Sequence, residues 1–265
     1  MSLIQLAKNA LWNFPELKKA RKTAFGKIIF YFMLLCALAA IPITLPVIQV
    51  FHAIQADGQE IAKNIPDFTI SDGKIQTKAV EGFIYQTDSI IFTFAPDGQR
   101  SAEDVAQDMV GNFLSIGLLA EELVVSFPAT DAALSILGSN QLELSYREAA
   151  MENLNGQTFR NLLANNQLPW WMYLLTFVVA FYPSFLNLLS TLVLATLFGN
   201  LYARFKQVGY SFLENLKMMV VAMTLPLLIL TVIQSFGLLF NTTIALLFGS
   251  LVIFAQAVKA EKITH

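Results

Sequence analysis

The residue types that carry most enzyme chemistry are scarce in this chain of 265 residues. It contains one cysteine, Cys36, and two histidines, His52 and His265. A zinc site needs three or four ligands of these types, and Ser-His-Asp catalysis needs a histidine beside the serine. Neither set can be assembled, and no glycine-rich phosphate loop occurs. The sequence therefore predicts a non-enzymatic protein without a metal or an organic cofactor.

Two acidic features resemble functional sites but lack a residue that each site requires. Glu121 and Glu122 resemble the paired glutamates of intramembrane proteases of the abortive-infection type, which need a nearby arginine and a membrane position. Here the apolar run 123–127 follows, inside the most polar part of the chain. The turn at 97–102 lacks the glycine that a calcium loop has at its sixth position. A solvated acidic surface explains both features.

Three amides in apolar stretches are the remaining candidates for polar chemistry: Asn187, Asn200 and Gln234. Proton- or ion-coupled transport usually needs ionisable groups inside the membrane. No Asp, Glu, Lys or Arg occurs in the three apolar stretches. These stretches cover residues 28–50, 169–203 and 218–258. Each amide either hydrogen-bonds to a neighbouring helix or contacts a substrate, and the sequence leaves both readings open.

The first and third stretches are long enough for three membrane spans. A bilayer core requires about 20 apolar residues in a helix. The first stretch, 28–50, supplies one span. The third supplies two, near 218–237 and 242–258, with a tight connection at Gly237 and Asn241.

The second stretch has 35 residues, which is too long for one upright span and short for two. Pro183 divides it, so we predict one span near 183–203. The preceding segment, 169–182, is expected to be interfacial or tilted, with a re-entrant path as the alternative. Trp170 and Trp171 fit an aromatic belt at its beginning.

Charge sets the predicted orientation. Residues 1–27 carry six basic groups and one acidic group, whereas residues 51–168 carry sixteen acidic and six basic groups. The loop 204–217 and the tail 259–265 contain more basic than acidic groups. By the positive-inside rule, both termini are cytoplasmic and 51–168 is outside. The fold class is an α-helical integral membrane bundle of four spans with an extracytoplasmic α+β domain inserted between spans 1 and 2.

The predicted outer domain has its own local signals. Alternating residues around Asp72-Gly73 predict a β-hairpin, and we expect roughly six strands in total. Ser101 followed by acids predicts a helix start. A second helix is expected over 147–166, although Gly156 weakens it.

Small residues at helical spacing predict close helix packing. Thr191, Ala195 and Gly199 line one face of a helix, and Ala245 and Gly249 line another. Internal packing of a four-helix bundle is the expected role, and a face for another subunit is the alternative.

The N-terminal residues 12–27 alternate basic and apolar side chains. Such a segment can lie along the anionic inner leaflet of a membrane. Lys18, Lys19, Arg21 and Lys22 are the candidate contacts with that leaflet. A simple orientation signal is the alternative role.

Several short motifs follow one another along nearly the whole chain. They are Gly26-Lys27, residues 65–74 (IPDFTISDGK), residues 90–98 (IIFTFAPDG), Tyr210-Ser211-Phe212 and Thr224-Leu225-Pro226. Together they resemble a bacterial membrane family, domain of unknown function 1189. Its members are often labelled maltodextrin-utilisation protein and are common in Gram-positive bacteria. The resemblance implies an association with sugar-uptake genes and offers no catalytic residues.

The leading hypothesis is a non-enzymatic plasma-membrane protein with an accessory or regulatory role, linked to carbohydrate (maltodextrin) uptake. Its expected partners are membrane lipids and another membrane protein, and nucleic acid is excluded because no domain is basic. The alternative is an autonomous transporter or lipid-handling protein, with Asn187, Asn200 and Gln234 lining a path.

Overall fold

The chain forms two compact units. The computed structural model describes residues 2–78, 81–109, 111–130, 134, 138–149, 151, 153–165, 168–238 and 241–259. Met1–Val47 and Trp170–His265 make up the first unit, which we call the helical unit, and Ile48–Pro169 make up the sheet domain. The sheet domain thus lies between the first and second long helices in the chain, as the sequence predicts for an inserted α+β region.

Four segments of the described residues are long and apolar enough to cross a membrane, namely Phe25–Ala62, Trp170–Phe205, Phe212–Ser235 and Thr242–Lys259. The α-helices in chain order are α1 (Leu3–Trp12), α2 (Phe25–Ala62), α3 (Ala102–Gln107), α4 (Gly156–Ala164), α5 (Trp170–Phe205), α6 (Phe212–Ala222), α7 (Thr224–Ser235) and α8 (Thr242–Lys259). A 3-10 segment, Phe14–Lys22, joins α1 to the chain before α2.

Helix α5 runs without interruption through Pro183, so the second apolar stretch forms one continuous helix, and the predicted span near 183–203 lies within it. A proline removes one backbone hydrogen bond, and such a loss is tolerated where nearby hydroxyls and neighbouring helices compensate. The carbonyl that loses its donor is that of Val179, four residues before Pro183. The Ser184 hydroxyl donates to the adjacent Ala180 carbonyl oxygen at 2.7 Å. Whether residues 169–182 are tilted or interfacial in a bilayer stays a prediction.

The helix that contains the start of the third apolar stretch begins at Phe212, before the uncharged residues themselves begin. Ser211 caps α6 through a capping box with Glu214, which brings two charged residues, Glu214 and Lys217, into the helix. After α7, Gly237 adopts a φ of +77°, and the Asn241 side chain accepts a hydrogen bond from the Ile244 amide. The connection therefore lies where the sequence places it.

The sheet domain contains two sheets. Its strands are β1 (Phe68–Ser71), β2 (Lys74–Thr77), β3 (Phe83–Gln86), β4 (Ile90–Ala95), β5 (Leu114–Leu119), β6 (Glu122–Ser126) and β7 (Gln141–Ser145). Strands β1 and β2 form a hairpin whose turn residues, Asp72 and Gly73, both have positive φ, as a two-residue turn requires. The other strands form one sheet in the order β3-β4-β5-β6-β7, in which only the β4–β5 pair is parallel.

The larger sheet is covered on both faces. On one face, Phe92 and Phe94 pack in a core with Phe68 from the hairpin and Phe159 from α4. On the other face, Val105 of α3 sits over Gly117, where a Cβ atom would lie 2.6 Å from the valine Cγ2. Three layers therefore enclose the central strands, which explains why every residue of β4 is buried.

The helix expected over 147–166 is much shorter. Among the described residues of this range, only Gly156–Ala164 is α-helical, and the Asn155 side chain caps it by accepting from the Thr158 amide at 2.9 Å. Gly156 is where the helix begins, because a Cβ atom there would lie 2.7 Å from the Pro66 carbonyl oxygen. The glycine thus permits a close backbone approach, a tertiary requirement that helix propensity does not report.

Candidate functional site

A small polar cavity lies inside the helical unit, where α7 ends and α8 begins. Its volume is about 160 Å³. Its polar lining comes from Ser184, Asn187, Gln234, Thr242 and Thr243. Apolar side chains from α2, α5, α7 and α8 complete the wall, among them Ile43, Leu188, Leu227 and Leu246. The cavity therefore joins two of the three amides that the sequence singles out, Asn187 and Gln234.

Asn187 is partly engaged by its neighbours. Its side-chain oxygen accepts from the Thr243 hydroxyl at 3.2 Å, a contact that links α5 to the start of α8. Its backbone carbonyl accepts from the Thr191 hydroxyl at 2.8 Å. Among the described residues, its side-chain nitrogen makes no hydrogen bond, so this donor is available to a molecule in the cavity.

Gln234 lies one residue before the end of α7 and is half-buried. In the part of the chain that the structure describes, its side-chain amide makes no hydrogen bond. Of the residues that the structure describes, no Asp, Glu, Lys, Arg or His lines the cavity. The site therefore offers uncharged donors and acceptors beside an apolar wall, which suits water or an uncharged hydrogen-bonding group and not a free ion.

Asn200 lies elsewhere. Its side-chain oxygen accepts from the Asn215 side-chain nitrogen at 2.9 Å, between α5 and α6. Asn215 is fully buried, and its own side-chain oxygen has no partner among the described residues. The structure thus separates the predicted trio into a cavity pair and an interhelical pair. The sequence does not identify Asn215 as a candidate because its charged neighbours, Glu214 and Lys217, indicate a loop.

Of the small residues predicted to pack, the two glycines lie at close contacts with neighbouring helices. Thr191, Ala195 and Gly199 are buried in α5. A Cβ atom on Gly199 would lie 2.7 Å from the Met219 methyl group, and one on Gly249 would lie 3.0 Å from the Pro226 Cβ atom. Ala245 is half-buried on α8 and packs against the same core.

The N-terminal segment buries one face against protein. Leu6 and Ala10 of α1 and Leu17 and Ala20 of the 3-10 segment belong to the helical-unit core. The 3-10 segment contacts α6 and α8, and Lys217 donates to the backbone oxygens of this region. This face of the N-terminal segment is packed on helices. The sequence had predicted only contact with the inner leaflet or an orientation signal for this segment.

The four predicted leaflet contacts differ in environment. Lys18 is half-buried, and Lys19 forms an ion pair with Glu16. The Arg21 guanidinium lies 4.6 Å from the centroid of the Tyr210 ring, a cation–π contact. Lys22 is exposed. Arg21 is thus engaged in tertiary structure, and Lys22 presents its charge to the surroundings.

The sheet domain presents an acidic edge. Strand β7 is the last strand of the sheet among the described residues, and its Glu143 faces the same region as Glu122 and Glu121. Burial, followed by the charges of Glu143 and Glu121, raises the pKa of Glu122. Lys74 pairs with Glu121 at 2.9 Å and lowers the pKa of that carboxyl. The described residues include no group of three side chains able to hold a metal ion.

Comparison with known proteins places this architecture in a family. A family of proteins of unknown function, DUF1189, matches residues 5–258. The chain belongs to this family, whose match covers both the helical unit and the sheet domain. Searches of curated proteins and of solved structures found no match.

Proposed function

We propose that the protein is a non-enzymatic, four-span plasma-membrane protein that acts as an accessory or regulatory component of a membrane assembly. In this proposal the sheet domain lies outside the cytoplasm, and both termini lie inside. The excess of basic groups in 1–27 and of acidic groups in 51–168 supports this orientation. The label that members of the family often carry suggests a link to carbohydrate uptake.

Among the described residues, no strand pairs with the outer edge of β7, and this open edge is the observation that carries the partner-binding role. Tyr146 donates its amide to the Glu121 oxygen, and Phe127 donates to the Asn140 oxygen, so the even-numbered residues of β7 bond to β6. The amides of Glu143 and Ser145 therefore face away from the sheet. An exposed edge of this kind can accept a strand from another protein, and Leu142 is 48% exposed beside it.

Photo-crosslinking from position 142 tests this role. A benzophenone amino acid in place of Leu142 should capture one stoichiometric partner in living cells, identified by mass spectrometry. The same group at Leu162, another exposed leucine of the sheet domain, is the control position. Glu143→Pro removes the outward amide and should abolish the capture, whereas Glu143→Gln should preserve it. Self-only crosslinks, together with unchanged sugar uptake after deletion, would refute the proposal.

The orientation has its own test. A single cysteine at Asp97, in a Cys36→Ser background, should react with an impermeant maleimide in intact cells. Asp97 follows the Pro96 turn at the end of β4 in the sheet domain. Labelling only after the membrane is disrupted would place the sheet domain inside and overturn the proposed topology.

A second candidate function is the handling of an uncharged or amphiphilic molecule by the helical unit. The shared cavity of Asn187 and Gln234 favours it. Asn187→Leu with Gln234→Leu should then abolish activity in a deletion-complementation assay without loss of the folded protein. Asn200→Leu is the matched control, because Asn200 pairs with Asn215 outside the cavity. Full activity of the cavity variant would eliminate this function.

A further inference from the structure

An apolar groove follows the seam between α5 and α8 on the helical unit. Phe198, Tyr202, Phe248, Leu251, Phe254 and Ala255 line it, and its volume is about 340 Å³. This is more than twice the volume of the polar cavity and falls within the range of about 300–1,000 Å³ that is typical of ligand sites. Phe254 is buried next to Gly199, whereas the rings of Phe198 and Phe248 remain more than half exposed. The wall is thus almost purely apolar.

Two lysines continue the walls of this groove. The Lys206 amide donates to the Tyr202 carbonyl oxygen at 3.0 Å, so the helical turn extends to Lys206. The Lys206 ammonium lies 5.9 Å from the centroid of the Tyr202 ring, which places a positive charge at the end of the groove. Lys259 follows Ala255 by four residues on α8 and lies on the same helix face. Among the described residues, neither lysine forms an ion pair.

We infer that the groove binds one anionic phospholipid, with an acyl chain against the apolar wall and the phosphate at Lys206 and Lys259. The inference rests on the proposed membrane placement. Basic sites between helices on the cytoplasmic side of a membrane are suited to anionic headgroups. A second copy of the chain fits this face less well, because parallel association would bring the same lysines of both copies together.

Native mass spectrometry of the full chain in detergent tests the inference, with phosphatidylglycerol and phosphatidylcholine as probes. The wild type should retain one phosphatidylglycerol at concentrations where phosphatidylcholine is lost. Lys206→Gln and Lys259→Gln should each weaken phosphatidylglycerol binding about fivefold, and the double variant about 25-fold. Lys63→Gln with Lys78→Gln, two exposed lysines of the sheet domain, is the matched control and should bind like the wild type.

A further variant distinguishes lipid binding in the groove from attraction to surface charge. Ala255→Phe fills the groove and should displace both lipids, while Ala255→Ser should leave phosphatidylglycerol binding unchanged. Wild-type affinity in the double lysine variant would overturn the inference. So would a wild-type dimer that Ala255→Phe converts to a monomer, because a second copy would then occupy the groove. A chain that does not fractionate with membranes would instead refute the proposed membrane placement.

Discussion

The two units hold their polar side chains in different ways. In the helical unit, many hydroxyls donate to the carbonyl four residues earlier, as Thr44 does to Ala40 at 2.9 Å and Thr196 does to Leu192 at 2.7 Å. In the sheet domain, several polar bonds join distant parts of the chain, in addition to the local bonds of turns and helix caps. The Ser89 amide donates to the Asp57 carboxylate at 2.8 Å.

This difference affects how the tertiary arrangement of each unit is selected. A bond to the preceding turn forms in any helix, so it satisfies the hydroxyl without selecting a neighbour. Packing in the helical unit must therefore be selected largely by shape, at residues such as Gly199 and Gly249. Bonds between distant residues, in contrast, form only in one tertiary arrangement. We therefore expect the sheet domain to be the more sensitive unit to single polar and steric changes.

The largest expected effect contrasts two glycines. Gly156→Ala would press a Cβ atom against the backbone oxygen of Pro66, which cannot move freely, and should destabilise the sheet domain by about 3 kcal/mol. Gly199→Ala meets the end of the Met219 side chain, which can rotate, and should cost about 1 kcal/mol. Hydrogen exchange in increasing urea, followed in both units of the solubilised chain, measures both losses.

Gly209→Ala is the control for this pair, because nothing lies within 4 Å of its Cβ position and no positive φ is involved. This substitution should leave the free energy of unfolding of both units unchanged. Equal losses of stability for Gly156→Ala and Gly199→Ala would show that the two units tolerate added volume equally. This result would contradict the expectation that the sheet domain is the more sensitive unit.

Next in size is the removal of a long-range polar bond in the sheet domain. The Arg160 guanidinium donates to the Ile65 carbonyl oxygen at 2.8 Å and to the Asp67 carboxylate at 2.6 Å. Arg160→Met should lower the free energy of unfolding by about 2 kcal/mol, since hydrogen bonds to charged groups contribute about 1.5–3 kcal/mol. Asp67→Asn should cost less than about 1 kcal/mol, because that side chain is 94% exposed. A larger loss from Asp67→Asn, measured by urea unfolding, would contradict this reading.

The buried pair of Tyr31 and Thr224 is one of the bonds in the helical unit that join different helices. The Tyr31 and Thr224 hydroxyls are 2.8 Å apart and join α2 to α7. Tyr31→Phe should destabilise the helical unit by about 1 kcal/mol. A double-mutant cycle with Thr224→Val, read by thermal unfolding in detergent, isolates this pair. A coupling energy near zero would mean that the hydroxyl pair does not help to select the helix arrangement.

The smallest expected effect concerns the acidic edge. Because the pKa of Glu122 is raised in the folded state, its protonation favours folding. This contribution is present below the unfolded pKa and is lost as pH rises through the folded pKa. Glu122→Gln should therefore raise stability at neutral pH, by less than about 0.5 kcal/mol, and flatten the acid limb of the stability profile. Glu148→Gln is the control. A Glu122→Gln variant that is less stable than the wild type at pH 7 would contradict the predicted direction of the stability change.

Features that depend on neighbouring residues could be predicted from the sequence. Asp72-Gly73 specifies a hairpin turn because the backbone needs positive φ there. Ser101 begins α3 because its side chain and that of Asp104 cap each other's amides. The long apolar stretches predicted helices able to cross a membrane because length and composition alone decide that property. Family membership also followed from ordered motifs along the chain.

Only the tertiary structure decided which of these elements meet. Asn187 and Gln234 stand on different helices, and nothing local distinguishes them from Asn200, which pairs with Asn215 instead. Pro183 is a helix breaker by local rules, yet α5 continues through it because packing on neighbouring helices outweighs one lost bond. Gly156 weakens a helix by propensity, yet it begins α4 because a distant backbone segment lies against it. Local chemistry sets the elements, whereas the cavity and the groove arise from contacts between residues far apart in sequence.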